Sequence, residues 1–199
     1  MNKLLLILLM FIAVKSDAAN YNFSISGKSY KLVKSMKSWE AAAAWAVRDG
    51  GYLVEINSAA EQKGIENAIA ASGVSNTYTT VNDGGGIAYI WIGATDKKSE
   101  GVWLWDGNND GQGINFYNGQ GVWGRGNGVA VNGLYSNWGG TNIGANNEPD
   151  NFGGRQDAAG IGLEPWPSPG RGNIAGEWND IDKSNQLYFI VEYDMPGLK

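Results

Sequence analysis

The chain carries no histidine and no cysteine, which restricts its chemistry before any spacing is considered. Ser-His-Asp and Cys-His nucleophiles are ruled out, as are Cys or His zinc sites, disulfides and thiol redox chemistry. Carboxylate chemistry remains. Glu148, Glu164 and Glu177 are possible members of a carboxylate pair acting on a glycoside, but nothing in the sequence sets their separation, and no enzyme is expected on their account. Asp106-Gly107-Asn108-Asn109-Asp110-Gly111 has the opening spacing of a helix-loop-helix calcium loop. Position twelve of such a loop is Glu; here it is Tyr117, so a glycine-rich turn after an aromatic strand is the better account. By local rules alone, Glu148-Pro149-Asp150-Asn151 is a turn in an acidic loop. Trp178-Asn179-Asp180 is a strand segment with Trp178 in the core.

The elements that must position these residues can be read along the chain. Met1 to about Ala19 has the form of a secretory leader: Lys3, an apolar run from Leu4 to Val14, then the small or polar Ser16, Asp17, Ala18 and Ala19. That run is too short to span a bilayer, and no second apolar run is long enough to do so. The expectation is a leader over 1–19 and a secreted, extracellular or periplasmic domain over 20–199 with no membrane span after cleavage. Without cysteine, such a domain rests on core packing, on bound ions, or on both. The composition is 43% hydrophobic and 18% charged, which fits a globular chain and not a disordered one. A net charge of -5 argues against a nucleic-acid partner.

Tyr21–Ser35 resembles a hairpin with its turn at Gly27-Lys28. Ser38 caps a helix from Trp39 to about Asp49, which Gly50-Gly51 stops. Tyr52–Ile56 is a short strand. Ser58 opens a second helix to about Ala71, with Glu61 placed for a capping box and Gly73 as the stop. Asn76–Gly86 reads as a loop. Ala88–Ala94, Val102–Asp106 and Gln186–Asp194 are strands. Between the last two lies a glycine-rich stretch: 20 of the 30 glycines fall in 101–179. Tryptophans 103, 105, 123, 138, 166 and 178 spread through it argue for an ordered, packed loop.

Three blocks follow one another in order. The first is Ser38-Trp39-Glu40, the alanine helix, and Gly50-Gly51-Tyr52-Leu53-Val54-Glu55-Ile56. The second is Trp91-Ile92-Gly93 with Glu100-Gly101-Val102-Trp103-Leu104-Trp105-Asp106-Gly107. The third is Asn137-Trp138, Glu148-Pro149-Asp150-Asn151, Trp178-Asn179-Asp180 and Phe189-Ile190-Val191-Glu192-Tyr193. From about residue 30 to 194 the chain resembles the C-type lectin-like domain. The resemblance implies an α+β fold with two helices, small antiparallel sheets, neighbouring termini and a long loop region that carries the ligand site. It marks Asn108–Tyr135 and Pro165–Gly176 as insertions. Family disulfides would fall at Ala46 with Val191 and at Ala158 with Lys183. The first pair can pack as small apolar groups; the Lys183 end is expected to be looser unless an ion holds it.

The same resemblance implies one Ca2+ held by oxygens of Glu148, Asp150, Asn179 and Asp180, the Asp180 carbonyl included. Gln156 stands where the family usually has an acid and would offer an uncharged amide oxygen. Asp157 matches a position used for a second, structural Ca2+, but its companion acids cannot be placed. A cis Glu148-Pro149 bond is expected. The implied function is calcium-dependent binding of a carbohydrate or glycoconjugate. Two sugar hydroxyls would coordinate the ion and also bond to Glu148, Asp150 and Asn179, with Phe152 or Trp166 packing on the apolar face of the sugar. Glu-Pro-Asp mixes the mannose-type and galactose-type patterns, so the sugar stays open. The alternative is a cell-adhesion or protein-binding module on the same scaffold, with calcium as a brace.

Overall fold

The computed structural model describes residues 19–140, 147–166 and 174–193. The expected leader falls almost wholly outside them. Two helices pack beside one extended set of strands, the α+β arrangement expected. Strands β1 (Tyr21–Ile25) and β2 (Lys28–Lys37) form the first hairpin, with Ser26 and Gly27 at its turn. Helix α1 (Trp39–Arg48) begins where the Ser38 side chain accepts the Ala41 amide at 3.3 Å. It buries Trp39, Ala42, Ala43 and Ala46 and ends before Gly50. Strand β3 (Tyr52–Leu53) follows, then helix α2 (Ala59–Ala71), capped by Ser58 through the Glu61 amide at 3.2 Å. The expected capping box is shifted by one residue. The Glu61 carboxylate accepts the Asn57 amide at 2.9 Å, because it also accepts the Tyr30 hydroxyl and the Lys28 ammonium.

The remaining strands are β4 (Tyr89–Thr95), β5 (Val102–Trp105), β6 (Ile114–Asn118), β7 (Val129–Ala130), β8 (Ala158–Gly162), β9 (Trp178–Ile181) and β10 (Leu187–Tyr193). They run β1-β2-β10-β4-β5-β6-β7, with β3 added to β10, β8 to β4 and β9 to β8. The sheet is not purely antiparallel as expected: β10 lies parallel to β4, through Tyr188 opposite Ile90 and Phe189 opposite Trp91. The chain returns to β4 only after the whole glycine-rich stretch, and a connection of that length allows a parallel neighbour. Among the described residues no helix is long and apolar enough to cross a membrane.

The glycine-rich stretch is anchored by aromatic packing. Trp138 lies 4.7 Å from Trp103 and 5.8 Å from Trp178, and Trp105 lies 5.5 Å from Trp178, mostly edge to face. Phe116 joins the cluster 4.4 Å from Trp105. Rings from β5, β6, the 135–138 segment and β9 therefore bury one another. The stretch read as loop in fact holds β6, β7 and β8.

Both positions of the implied family disulfides are held without sulfur. Ala46 and Val191 are fully buried in one apolar cluster. The Lys183 end is not loose: its ammonium pairs with the Asp157 carboxylate, its carbonyl accepts the Trp39 amide at 2.9 Å, and Ala158 sits opposite Ile181 in the ladder. Because Trp138 is fully buried and packs on Trp103, Phe116, Tyr117 and Trp178, Trp138→Ala is expected to lower unfolding stability by about 3–5 kcal/mol. Urea denaturation followed by near-ultraviolet circular dichroism measures the loss.

Candidate functional site

Strand β9 and the loop that follows Asn147 supply the site. β9 runs antiparallel to β8, with Asp180 opposite Ala159 and Asn179 opposite Gly160. The Asp180 carboxylate then reaches across the fold. Its Oδ1 accepts the Asp150 amide at 3.0 Å and its Oδ2 accepts the Asn151 amide at 2.7 Å. Two stretches thirty residues apart are thus joined by one side chain. The Glu148-Pro149 peptide is cis. Pro149 and Asn147 in turn offer their carbonyls to the Gly121 and Trp123 amides, at 2.7 and 3.4 Å, which seats the 119–128 loop on this one.

One carboxylate oxygen each from Glu148, Asp150 and Asp180 lies within 4.8 Å of the others, the one such acidic group among the described residues. Glu148 and Asp180 are fully buried and Asp150 is half-buried. Both Glu148 oxygens and the Asn179 Oδ1 are buried with no hydrogen-bond donor. Buried acceptors are nearly always satisfied, and buried carboxylates are normally paired or coordinate a metal. Burial, then the Asp180 and Asp150 charges, raises the Glu148 carboxyl well above its usual range. Burial pushes Asp180 up to about 7 and raises Asp150. A donor set of carboxylate and amide oxygens without nitrogen or sulfur suits a hard divalent cation such as Ca2+. The residues present therefore fit such an ion.

Gln156 is buried beside the cluster, but its amide is engaged. Its oxygen accepts the Phe152 amide and its nitrogen donates to the Asp83 carbonyl at 2.8 Å. Asp157 stands apart, facing the Lys183 ammonium. A cavity of about 220 Å³ opens onto the cluster, lined by Glu148, Asp150, Gln156 and Asn179 together with Phe152, Trp123 and Trp166. Phe152 is 68% exposed. The candidate glycosidase glutamates are engaged differently: Glu177 accepts the Gly140 and Ile174 amides, and Glu164 accepts the Asn76 amide group near the surface. In the Asp106 loop, the Asp106 carboxylate accepts the Asp110 and Gly111 amides, as a turn requires.

Sequence reasoning missed Trp123, Asp83 and Tyr89. Trp123 sits in a glycine-rich loop with no periodic signal. Asp83 lies in the segment read as loop, yet its carboxylate accepts the Asp182 amide at 2.6 Å and the Asn185 side chain at 3.0 Å. Tyr89 reads as strand core, which it also is.

The model for the Lectin C-type domain matches residues 35–192. The chain belongs to the C-type lectin domain family. It is 25% identical over 171 residues to the hepatic lectin of Gallus gallus, covering 85% of this chain and 56% of that protein. It is 34% identical over 92 residues to the hemolymph lipopolysaccharide-binding protein of Periplaneta americana, covering 46% of this chain and 34% of that protein. The chain thus spans about half of the first curated relative and a third of the second. The carbohydrate-recognition domain of the mouse scavenger receptor C-type lectin superposes with a TM-score of 0.54 at 23% identity, covering 90% of this chain and 98% of that domain. Domains of this family typically bind Ca2+, and the acidic cluster of this member could hold it.

The raised carboxyls give a pH dependence of fixed sign. The folded protein keeps protons on Glu148 and Asp180 that the unfolded chain releases at the ordinary carboxylate values. In chelator, their contribution to stability therefore falls as pH rises from about 4 towards 7. A cation demands the ionised forms, so the calcium-induced rise in Tm is expected to be larger at pH 8 than at pH 5. Thermal melts with calcium and with chelator at both pH values check this.

Proposed function

We propose that this lectin-domain protein is an exported, calcium-dependent carbohydrate-binding protein rather than an enzyme. The observation that carries the reading is the buried set of donor-less oxygens on Glu148 and Asn179 beside the Asp150 and Asp180 carboxylates. A bound Ca2+ would supply coordination positions for two neighbouring sugar hydroxyls. The chain's own residues do the rest. Glu148 and Asp150 accept hydrogen bonds from those hydroxyls, and the Asn179 amide donates. Asp180 holds the Asp150 and Asn151 backbone in place. Gln156 pins the Phe152 turn, and through it the aromatic ring that faces the cavity. Phe152 and Trp166 offer apolar surface for the C–H face of a pyranose. The likeness to lectins of the same family supports a glycan ligand.

The test is glycan-array binding in millimolar Ca2+ and in chelator, with melting measured alongside. An ion bound only by the folded form at a hundred times its Kd adds about 2.7 kcal/mol. Glu148→Ala should abolish both glycan capture and the calcium shift and leave the fold intact, since its carboxylate oxygens accept no hydrogen bond from the backbone that orders the loop. Asp180→Ala should abolish them as well and also cost about 1–3 kcal/mol, because the Asp150 and Asn151 amides lose their acceptor. Glycan capture that persists unchanged in chelator would overturn the calcium dependence, and no glycan capture at all would overturn the reading in favour of an adhesion or protein-binding module on the same scaffold.

A further inference from the structure

One hydroxyl joins the polar and aromatic parts of the cavity. The Tyr89 hydroxyl donates to the Gly84 carbonyl at 2.8 Å. It accepts the Asn179 Nδ2 at 3.1 Å and the Trp166 Nε1 at 2.9 Å. A phenol has one proton and two lone pairs, so this one is fully used. Tyr89 is itself buried in β4.

Each of the three bonds has a consequence. Holding the Asn179 Nδ2 settles which way the amide points and leaves Oδ1 as the donor-less oxygen on the acidic cluster. An amide rotated by half a turn would present N–H groups to a cation, which repel it. Holding Trp166 Nε1 lays that indole over Gly85, where φ is +74° and an added Cβ would come within 3.0 Å of the ring. Trp166 then stands 5.3 Å from Trp123, with the two ring planes inclined by 38°. The bond to Gly84 fixes the hydroxyl to the turn at Asn82–Gly84, which also borders the cavity.

We propose that Tyr89 is a positioning residue that locks the Asn179 amide for cation binding and sets the Trp123–Trp166 wall at the same time, so that ion binding and the placement of the wall are coupled through its hydroxyl. Trp123 thereby becomes a ligand-facing residue alongside Trp166, delivered by the 119–128 loop. The inference rests on the calcium reading above and adds how the ion and the ring-binding surface are made one unit. The bonds that orient metal ligands from behind typically matter by 10–100-fold in metal affinity.

The test uses Tyr89→Phe, which keeps the ring and removes only the hydroxyl. Calcium titrations by calorimetry should show its Kd weakened about 10–100-fold. The change in tryptophan fluorescence on adding Ca2+ should be lost or strongly reduced, and the near-ultraviolet circular dichroism in chelator should already differ from wild type. Tyr30→Phe is the control for a buried tyrosine that loses a hydroxyl bond, here to Glu61 at 2.5 Å and away from the cavity. It should lose stability and keep both the calcium Kd and the fluorescence response. Wild-type calcium affinity in Tyr89→Phe, with an unaltered fluorescence response, would overturn the coupling and leave the calcium reading standing. A wild-type protein that binds no calcium would instead overturn that reading.

Discussion

The arrangement of this domain turns on carboxylates brought together out of water. Glu148, Asp150 and Asp180 come from two segments with no local reason to meet, and like charges at that spacing oppose their own assembly. The opposition is met by Asp180, whose two oxygens take the Asp150 and Asn151 amides. A carboxylate satisfied by backbone N–H groups can be buried, and once buried it fixes the course of the loop that carries the other two acids. Glu148 has no such compensation: both its oxygens are buried without a hydrogen-bond donor, which is what fits the cluster to a cation.

The rest of the fold serves that junction. Among the described strands β9 pairs with β8 alone, so it is held against the fold by that ladder and by the Trp178 ring in the aromatic cluster. The Trp178 Nε1 reaches Gln62 Oε1 at 2.9 Å, which links β9 to α2. The parallel contact of β10 with β4 joins the β1–β2 hairpin, through β10, to the strand that bears Tyr89. The framework and the site therefore share residues: Tyr89 is core packing and cavity support, and Trp178 is core beside two site residues.

Much of the framework was legible because it follows local rules. Ser38 and Ser58 cap the helices, Gly50 and Gly73 follow their ends, and β4, β5 and β10 are aromatic or β-branched runs. The acidic residues of the site were legible only through their resemblance to a family pattern, since turn chemistry alone makes Glu148-Pro149-Asp150 an ordinary acidic loop. β8 was not legible. Its sequence, Ala-Ala-Gly-Ile-Gly, lacks strand character because it is buried throughout and squeezed between β4 and β9. At Gly160 an added Cβ would lie 3.0 Å from the Tyr89 Cβ, so the space rather than any propensity selects glycine. Trp123 escaped for a different reason: its loop is placed by hydrogen bonds to the Asn147 and Pro149 carbonyls, and such contacts leave no periodic trace.

The absence of cysteine sharpens the dependence of the loop region on its site. A disulfide stabilises chiefly by restricting the unfolded chain, whether or not a ligand is present. Here the first family position is filled by apolar packing at Ala46 and Val191, and the second by the Lys183–Asp157 ion pair. A single half-buried pair of that kind does not constrain the unfolded chain as a disulfide does. The ordering of 147–166 against β9 then falls on the β8 ladder, on the two amides that Asp180 accepts, and on whatever neutralises Glu148. A cation bound as proposed would draw on the same oxygens that order the loop, so each would favour the other by mass action. On that reading the proposed ligand site and the fastening of the loop are one structural feature.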